Sequence, residues 1–479
     1  MGFLEIRGNR IVDEKGEEIF LRGVNFGGWL NMENFISGYI GAESSLKEAI
    51  RKELGEERYQ AFFESFLDAF ISEGDFEFLS DIGANVVRLP FNYRLFEDDM
   101  YPGEYLERGF EYIDRAVEWA RKYNIYIILD FHALPGWQNR GWHSDNPHHI
   151  SLLWDNRDFQ ERVKGIWEFI AGRYSEEKII AGYDLMNEPE APSIEILNDF
   201  YCELVQTIRT VDKNHIIFLE GNNYASEFEG FNISYDDNLA LSSHNYTTVT
   251  HSGRRYPGPV VKNSSYPSGK VYADKEWLEN KFKETNSWML EIDKPCLVGE
   301  FGALFDGEVN NPLPADLERL KALKDQLEIF NKYEQHWTIW TYKDVGVQGL
   351  VVSDSDSEYR KRIRPVNKMK QELGLDGWTA RGKGALHSRA DDILSIVAEN
   401  VIKNLNDYSL DYKGYLRKKL GQRAICGTVA NILSMVYAAQ FVDLSSREIR
   451  KMHERAFKFE NCRKREYLIA ALREGFSGN

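Results

Sequence analysis

The chain has 479 residues, 13% of them aromatic, and a formal net charge of −17 at pH 7. That length exceeds what one ordinary hydrophobic core fills and implies a large domain with something smaller attached. The charge sets nucleic acid aside as a partner, because a polyanion needs a basic footprint, and it suits a neutral ligand that some of the 11 Trp and 25 Tyr stack against.

Four cysteines, Cys202, Cys296, Cys426 and Cys462, have no CxxC spacing and no metal-ligand neighbours, and read as buried thiols. The opening MGFLEIRGNR enters a strand pattern with no apolar h-region. No run reaches about 18 apolar residues, so no membrane span is expected. The expectation is a cytoplasmic protein, or a secreted one whose signal has been removed.

Taken in order, residues 3–6, the turn at Gly8-Asn9 and residues 10–19 with Glu14-Lys15-Gly16 predict a small hairpin, placed to plug the floor of a barrel. Strand and helix patterns then alternate. Short apolar strands are predicted at 20–25, 85–89, 125–131, 180–186, 215–219, 239–244, 296–299 and 337–341. Amphipathic stretches lie between them at 58–82, 105–123, 157–174, 194–210, 275–291 and 316–333, with only a weak helix near 224–228. Eight buried strands with helical crossovers predict an α/β fold, a (β/α)8 TIM barrel. Long polar or aromatic insertions follow strands one, three and six, on the face where such barrels build their sites.

A helix over 358–373 closes the barrel, residues 374–384 read as a linker, and residues from about 385 to 475 read as helical throughout. The expected organisation is a barrel with its hairpin over 1–375 and an appended C-terminal all-α domain over 385–479. Packing against the barrel and binding a partner both remain open for the tail.

The chemistry gathers at strand ends. The stretch IIAGYDLMNEPEAP carries Asn187 and Glu188 to the end of strand four, where Pro189 stops the ladder; CLVGEFGA ends strand seven on Glu300. An amide and two carboxylates make poor core, so they face a cleft. Paired carboxylates at one barrel mouth suit the splitting of a glycosidic bond, one protonated for the leaving oxygen and one ionised for attack. Glu188 fits the acid/base, its pKa raised by a negative neighbour, and Glu300 the nucleophile, held ionised by donors and a cation. Arg88 ends strand two as a cation that a barrel interior tolerates only when paired. His132 ends strand three, His244 and Tyr246 end strand six, and Trp340 ends strand eight.

As an ordered set, Arg88, His132, Asn187, Glu188, His244, Tyr246, Glu300 and Trp340 resemble glycoside hydrolase family 5, the cellulase-like retaining enzymes, over about residues 15–370. The resemblance implies that Asn187 bonds the sugar 2-hydroxyl, that Tyr246 and Arg88 hold the nucleophile, and that Trp340 floors the subsite where cleavage begins. The opening LRGVNFGGWLNMENFI is similar to the exo-β-glucanase branch, in which the residue matching Glu33 clamps a terminal glucose; the Gln138-Asn139 pair and the 62–76 region also resemble it. The segment YKDVGVQGLVV after strand eight departs from that branch. The resemblance implies a β-linked oligosaccharide or glycoside as substrate and no cofactor. Exo action on β-glucosides stands beside endo-β-1,4-glucanase, β-mannanase and β-mannosidase readings. A non-catalytic glycan-binding barrel would lack a glutamate.

The insertion WQNRGWHSDNPHH holds three histidines and an aspartate, but nothing fixes convergent metal geometry, and it reads as a sugar-binding loop with no metal. Trp29, Trp137 and Trp142 read as subsite platforms or as loop core. Glu190, beyond the proline, reads as a rim residue.

Overall fold

The computed structural model describes residues 2–251, 255–260, 271–375 and 427–477, with isolated residues between 378 and 396. Eight parallel strands close into a barrel in chain order: β1 (Arg22–Asn25), β2 (Val86–Asn92), β3 (Tyr126–Ala133), β4 (Ile180–Asp184), β5 (Ile216–Glu220), β6 (Leu239–His244), β7 (Cys296–Glu300) and β8 (His336–Ile339). The eight predicted strands are these eight, to within a few residues at each end. A parallel sheet closed on itself has no edge, and side chains alternate between its interior and the helical layer.

The interior has two parts. Leu4, Ile11, Leu21, Val86, Ile128, Ala181, Ile216, Phe218, Ala240 and Leu297 form one apolar cluster at the N-terminal end. Leu4 precedes and Ile11 lies within the hairpin of strands Glu5–Arg7 and Arg10–Val12, so the hairpin is the floor. Above it Asn25, Arg88, Asp130, Asp184 and Glu220 are all fully buried.

The helices follow the sequence pattern where one amphipathic stripe is continuous, as in Arg157–Tyr174 and Ile194–Val211. The stretch predicted as one element over 58–82 is two helices, Glu56–Phe70 and Glu73–Ile82. The break is a capping box, in which Ser72 and Asp75 satisfy each other's backbone N–H groups. The stretch 275–291 likewise divides into Lys275–Thr285 and Ser287–Glu291.

The described part of the tail shares the barrel's main apolar cluster. Helix Ser446–Phe457 lies along Glu56–Phe70, with Phe457 edge-on to Phe66 and His453 edge-on to Phe62. Arg463–Lys464 pairs with Val351–Val352 as the third strand of a small sheet. Phe476, closing helix Glu466–Phe476, stacks on Trp337 of β8 at 5.0 Å. Most of the predicted linker and the first part of the predicted helical tail, Cys426 included, lie outside the described residues. Among the described residues no helix is long and apolar enough to cross a membrane.

Candidate active site

Arg88 is the hub of the upper interior. Its Nε donates to Asp184 at 2.9 Å, and Nη1 to Glu300 Oε1 at 3.0 Å and Asn25 Oδ1 at 3.2 Å. Nη2 donates to Glu220 at 2.8 Å and Asn187 Oδ1 at 2.9 Å, while Asp130 lies 3.1 Å from Nη1. Burial opposes the guanidinium charge, and the carboxylates around it more than restore it. At Asp184, burial and the Glu220 charge push the carboxyl well above its ordinary range.

This network fixes Asn187. Its Oδ1 is committed to Arg88, so the amide presents Nδ2, which is buried without a partner among the described residues. An unspent donor in a charged pocket is a group prepared for a ligand acceptor. His132, at the end of β3, is held through Nδ1 by Asp130 at 2.7 Å and has Nε2 3.6 Å from Glu33. Burial lowers its pKa, but Asp130 and Glu33 carry it up to about 10. Glu33 is only 8% exposed, and its Oε1 has no donor at hydrogen-bond distance among the described residues.

Trp340 lies parallel to His132, ring centroids 5.4 Å apart and planes 10° apart. Gly27 permits this position, since a Cβ there would stand 2.6 Å from the indole. The Trp340–Thr341 peptide is cis.

Glu188 follows β4 with φ at 49°, in the left-handed region that a non-glycine residue adopts only when its surroundings impose it. Its N–H donates to Glu220 at 2.6 Å, and its carbonyl accepts from Asn139 Nδ2 at 2.9 Å. The carboxyl meets His244 Nδ1 at 2.6 Å through Oε1 and His143 Nε2 at 3.0 Å through Oε2. Glu300 ends β7 at a register irregularity against β6 that re-aims its side chain. It accepts from Tyr246 Oη at 2.8 Å and from Arg88. One oxygen of each carboxyl and a ring nitrogen of His244 lie within 4.8 Å of one another.

Burial is the largest influence on both carboxyls and raises each. At Glu188 the hydrogen bonds and charges of His143 and His244 outweigh it and bring the group well below the ordinary value. At Glu300 burial outweighs His244 and Arg88, and the group stays raised. This order is the reverse of the one expected from sequence, and it holds while both imidazoles direct a proton at Glu188.

Arg88, His132, Asn187, Glu188, His244, Tyr246, Glu300, Trp340, Glu33 and Asn139 thus come together at the C-terminal mouth. Trp29 does not. It is 1% exposed, donates its indole N–H to Leu67 at 2.8 Å and packs edge-on to Phe26 and Tyr112. The turn at Gly27-Gly28 sends it into the helical layer, so of its two readings loop core is the one observed. Trp137 spends its N–H on Asp145 at 2.8 Å. Glu190 pairs with Arg140 on the rim.

Five residues were not assigned to the site from sequence. Asp130, Asp184 and Glu220 occupy strand positions whose two-residue period aims them inward; Asp130 shares the face of His132, a signal that was available. His143 belongs to an irregular loop with no periodicity to betray it. Trp378, in the expected linker, packs at 5.2 Å from Tyr246, 4.9 Å from His251 and 5.5 Å from Phe35.

A parallel eight-stranded barrel with a close carboxylate pair at its C-terminal mouth is the architecture of a glycoside hydrolase. Residues 58–346 match the model of the cellulase family, glycosyl hydrolase family 5, and the chain belongs to that family. It is 34% identical to a β-xylosidase of Phanerodontia chrysosporium, covering all of this chain and 99% of that one. It is 30% identical to endoglucanase C of Acetivibrio thermocellus over 68% of this chain and 91% of that protein. A crystal structure of a glycoside hydrolase superimposes with a TM-score of 0.51 at 20% identity, covering 68% of this chain and 90% of the other, a likeness of fold.

Proposed function

We propose that the protein is a retaining β-glycosidase that removes a terminal sugar from β-linked glycans or glycosides. Glu300 attacks the anomeric carbon, forming the glycosyl ester as the C–O bond breaks, and Glu188 gives its proton to the departing oxygen. Glu188 then takes a proton from water, whose oxygen displaces Glu300. The observation that carries this reading is the approach of the two carboxyls to within 4.8 Å. Retaining pairs stand about 5–5.5 Å apart, whereas inverting pairs leave about 6.5–9.5 Å for a water between them. Tyr246 and Arg88 hold Glu300, Asn187 offers Nδ2 to the sugar 2-hydroxyl, and Trp340 with His132 floors the pocket.

Two observations favour exo action. Glu33 brings a carboxylate oxygen with no hydrogen-bond donor among the described residues to 3.6 Å from His132, suited to a terminal sugar's hydroxyls. The relative matched over its full length is named a β-xylosidase, while the match to the endoglucanase stops at about two thirds of this chain. Glucosides and xylosides are therefore the first substrates to compare, and internal cutting of a β-glucan is the second reading.

The test is hydrolysis of aryl β-glucoside, β-xyloside, β-mannoside and cellobioside, with product stereochemistry followed by NMR, for the wild type and Glu300→Gln. Single sugars released with the β-configuration, and lost in the variant, are the expected result. Cleavage of cellobioside or polymer alone overturns exo action. An α-configured first product overturns retention, and full activity of the variant overturns the assignment of Glu300.

A further inference from the structure

Of the two imidazoles that oppose burial at Glu188, His143 has the larger influence, and its sense depends on which group owns the hydrogen between them. His143 lies in a single turn, Trp142–Ser144, within the insertion after β3, and its carbonyl is tied to Asn31 Nδ2 at 3.0 Å. Its ring covers Gly141, where a Cβ would come within 2.2 Å of Cε1. Nε2 therefore has a fixed position, 3.0 Å from Glu188 Oε2 and also 3.0 Å from Asn139 Nδ2.

The orientation of the Asn139 amide decides which way these bonds run. Its Oδ1 accepts from the Gly141 N–H at 2.7 Å and from Ser144 Oγ at 3.0 Å. A backbone N–H can only donate, so that end of the amide is the oxygen and the other end is the NH2. One NH2 hydrogen goes to the Glu188 carbonyl at 2.9 Å, and the other points at His143 Nε2. A ring nitrogen that accepts an N–H carries a lone pair and no hydrogen of its own. His143 is then the neutral Nδ1–H tautomer, and any hydrogen between Nε2 and Oε2 belongs to the carboxyl.

We propose that Asn139 and His143 are a positioning pair that keeps the exchangeable proton on Glu188. The inference rests on the acid/base role proposed above and explains how that role survives beside two imidazoles. His244 donates to Oε1, the single lone pair of His143 Nε2 is shared between the Asn139 N–H and the hydrogen on Oε2, and the carboxyl is held as the acid. Glu188 also faces Glu300 of β7 and the Tyr246 hydroxyl, with Glu220 of β5 at its N–H. His143 also faces Glu33 and His132. His143 touches neither reacting carbon nor leaving oxygen in this arrangement; it acts through Glu188.

The test uses the full chain and two leaving groups on whichever aryl β-glycoside the wild type cleaves. A dinitrophenolate departs with little protonation, whereas a phenolate needs the acid. Asn139→Asp replaces the NH2 with an acceptor, so His143 must turn a proton toward position 139 and no longer takes one from Glu188. The basic limb of the phenyl glycoside's kcat/KM profile then moves down by about one pH unit or more, and His143→Ala moves it likewise. Phenyl glycoside cleavage falls roughly 10–100-fold in both variants, while dinitrophenyl cleavage changes by less than about 3-fold. Equal losses for both leaving groups with an unmoved limb overturn the pair. Because His143→Ala removes the ring without altering Asn139, it decides the matter even if Asn139→Asp fails to fold. A wild type that cleaves no aryl β-glycoside overturns the functional reading and this inference with it; parallel losses in an active enzyme overturn this inference alone.

Discussion

The two ends of the barrel treat the same residue type in opposite ways. His336 begins β8 beside the apolar floor, where its Nδ1 accepts the Leu21 N–H at 3.0 Å. Burial and the neighbouring Arg22 push its pKa down to about 3. His132 ends β3 at the mouth, where Asp130 and Glu33 overcome the same burial and carry it up to about 10. One ring is kept neutral and the other charged, on strands of a single sheet. The floor gains stability from surface removed from water. The mouth holds charges that are tolerable only around their shared cation, and a buried ion network of that kind adds little net stability even though losing the guanidinium costs a great deal.

The comparison breaks most sharply at Glu300. Glu300→Gln removes the nucleophile, and kcat/KM is expected to fall by about four orders of magnitude or more. It also removes a buried charge whose desolvation raises its pKa. The thermal midpoint should therefore hold or rise while activity vanishes, the usual sign of a site kept at some expense in stability. A large drop in Tm would show that this carboxylate belongs to the framework instead.

Arg88→Met strikes activity and stability together. It leaves Asp130, Asp184, Glu220 and Glu300 without their shared cation, at a cost of about 3–5 kcal/mol in urea unfolding at neutral pH. The loss should shrink in acid as the carboxyls take up protons. Arg88→Lys should recover little, because one ammonium cannot reproduce a guanidinium donating from three nitrogens. At the other end, Ile11→Ala should cost about 2–5 kcal/mol by opening a cavity in the floor, and should leave the pH dependence of kcat/KM where it was. A shifted pH profile would mean that the two ends are coupled.

The floor and strands were legible because apolar periodicity is a local signal, repeated eight times and confirmed by spacing. Much of the mouth was legible for a different reason: a polar residue at a strand end, such as Arg88 or Glu300, contradicts its own apolar context. Trp29 misled because aromatic content does not reveal which way a turn sends a side chain, and here two glycines turn it outward. His143 was hidden because its role depends on an amide whose orientation is set by Gly141 and Ser144. Trp378 was hidden because a Gly-rich composition reads as linker whether or not one of its residues is anchored.

The smallest expected effect returns to the two histidines and gives the comparison a sign. In the unfolded chain both titrate near 6.5. Folded His336 refuses its proton until about pH 3, so between those values the unfolded state binds the extra proton, and stability falls as pH is lowered. Folded His132 keeps its proton to about pH 10, so in the window from 6.5 to 10 the folded state binds the extra proton, and stability falls as pH is raised. His336→Asn keeps an acceptor for the Leu21 N–H without a titrating group. It should flatten the acid slope of urea-unfolding free energy, by at most a few kcal/mol across the window, and leave the alkaline slope alone. His132→Asn should do the opposite. If both variants alter the same limb, the ends of the barrel do not differ in the way their buried charges require.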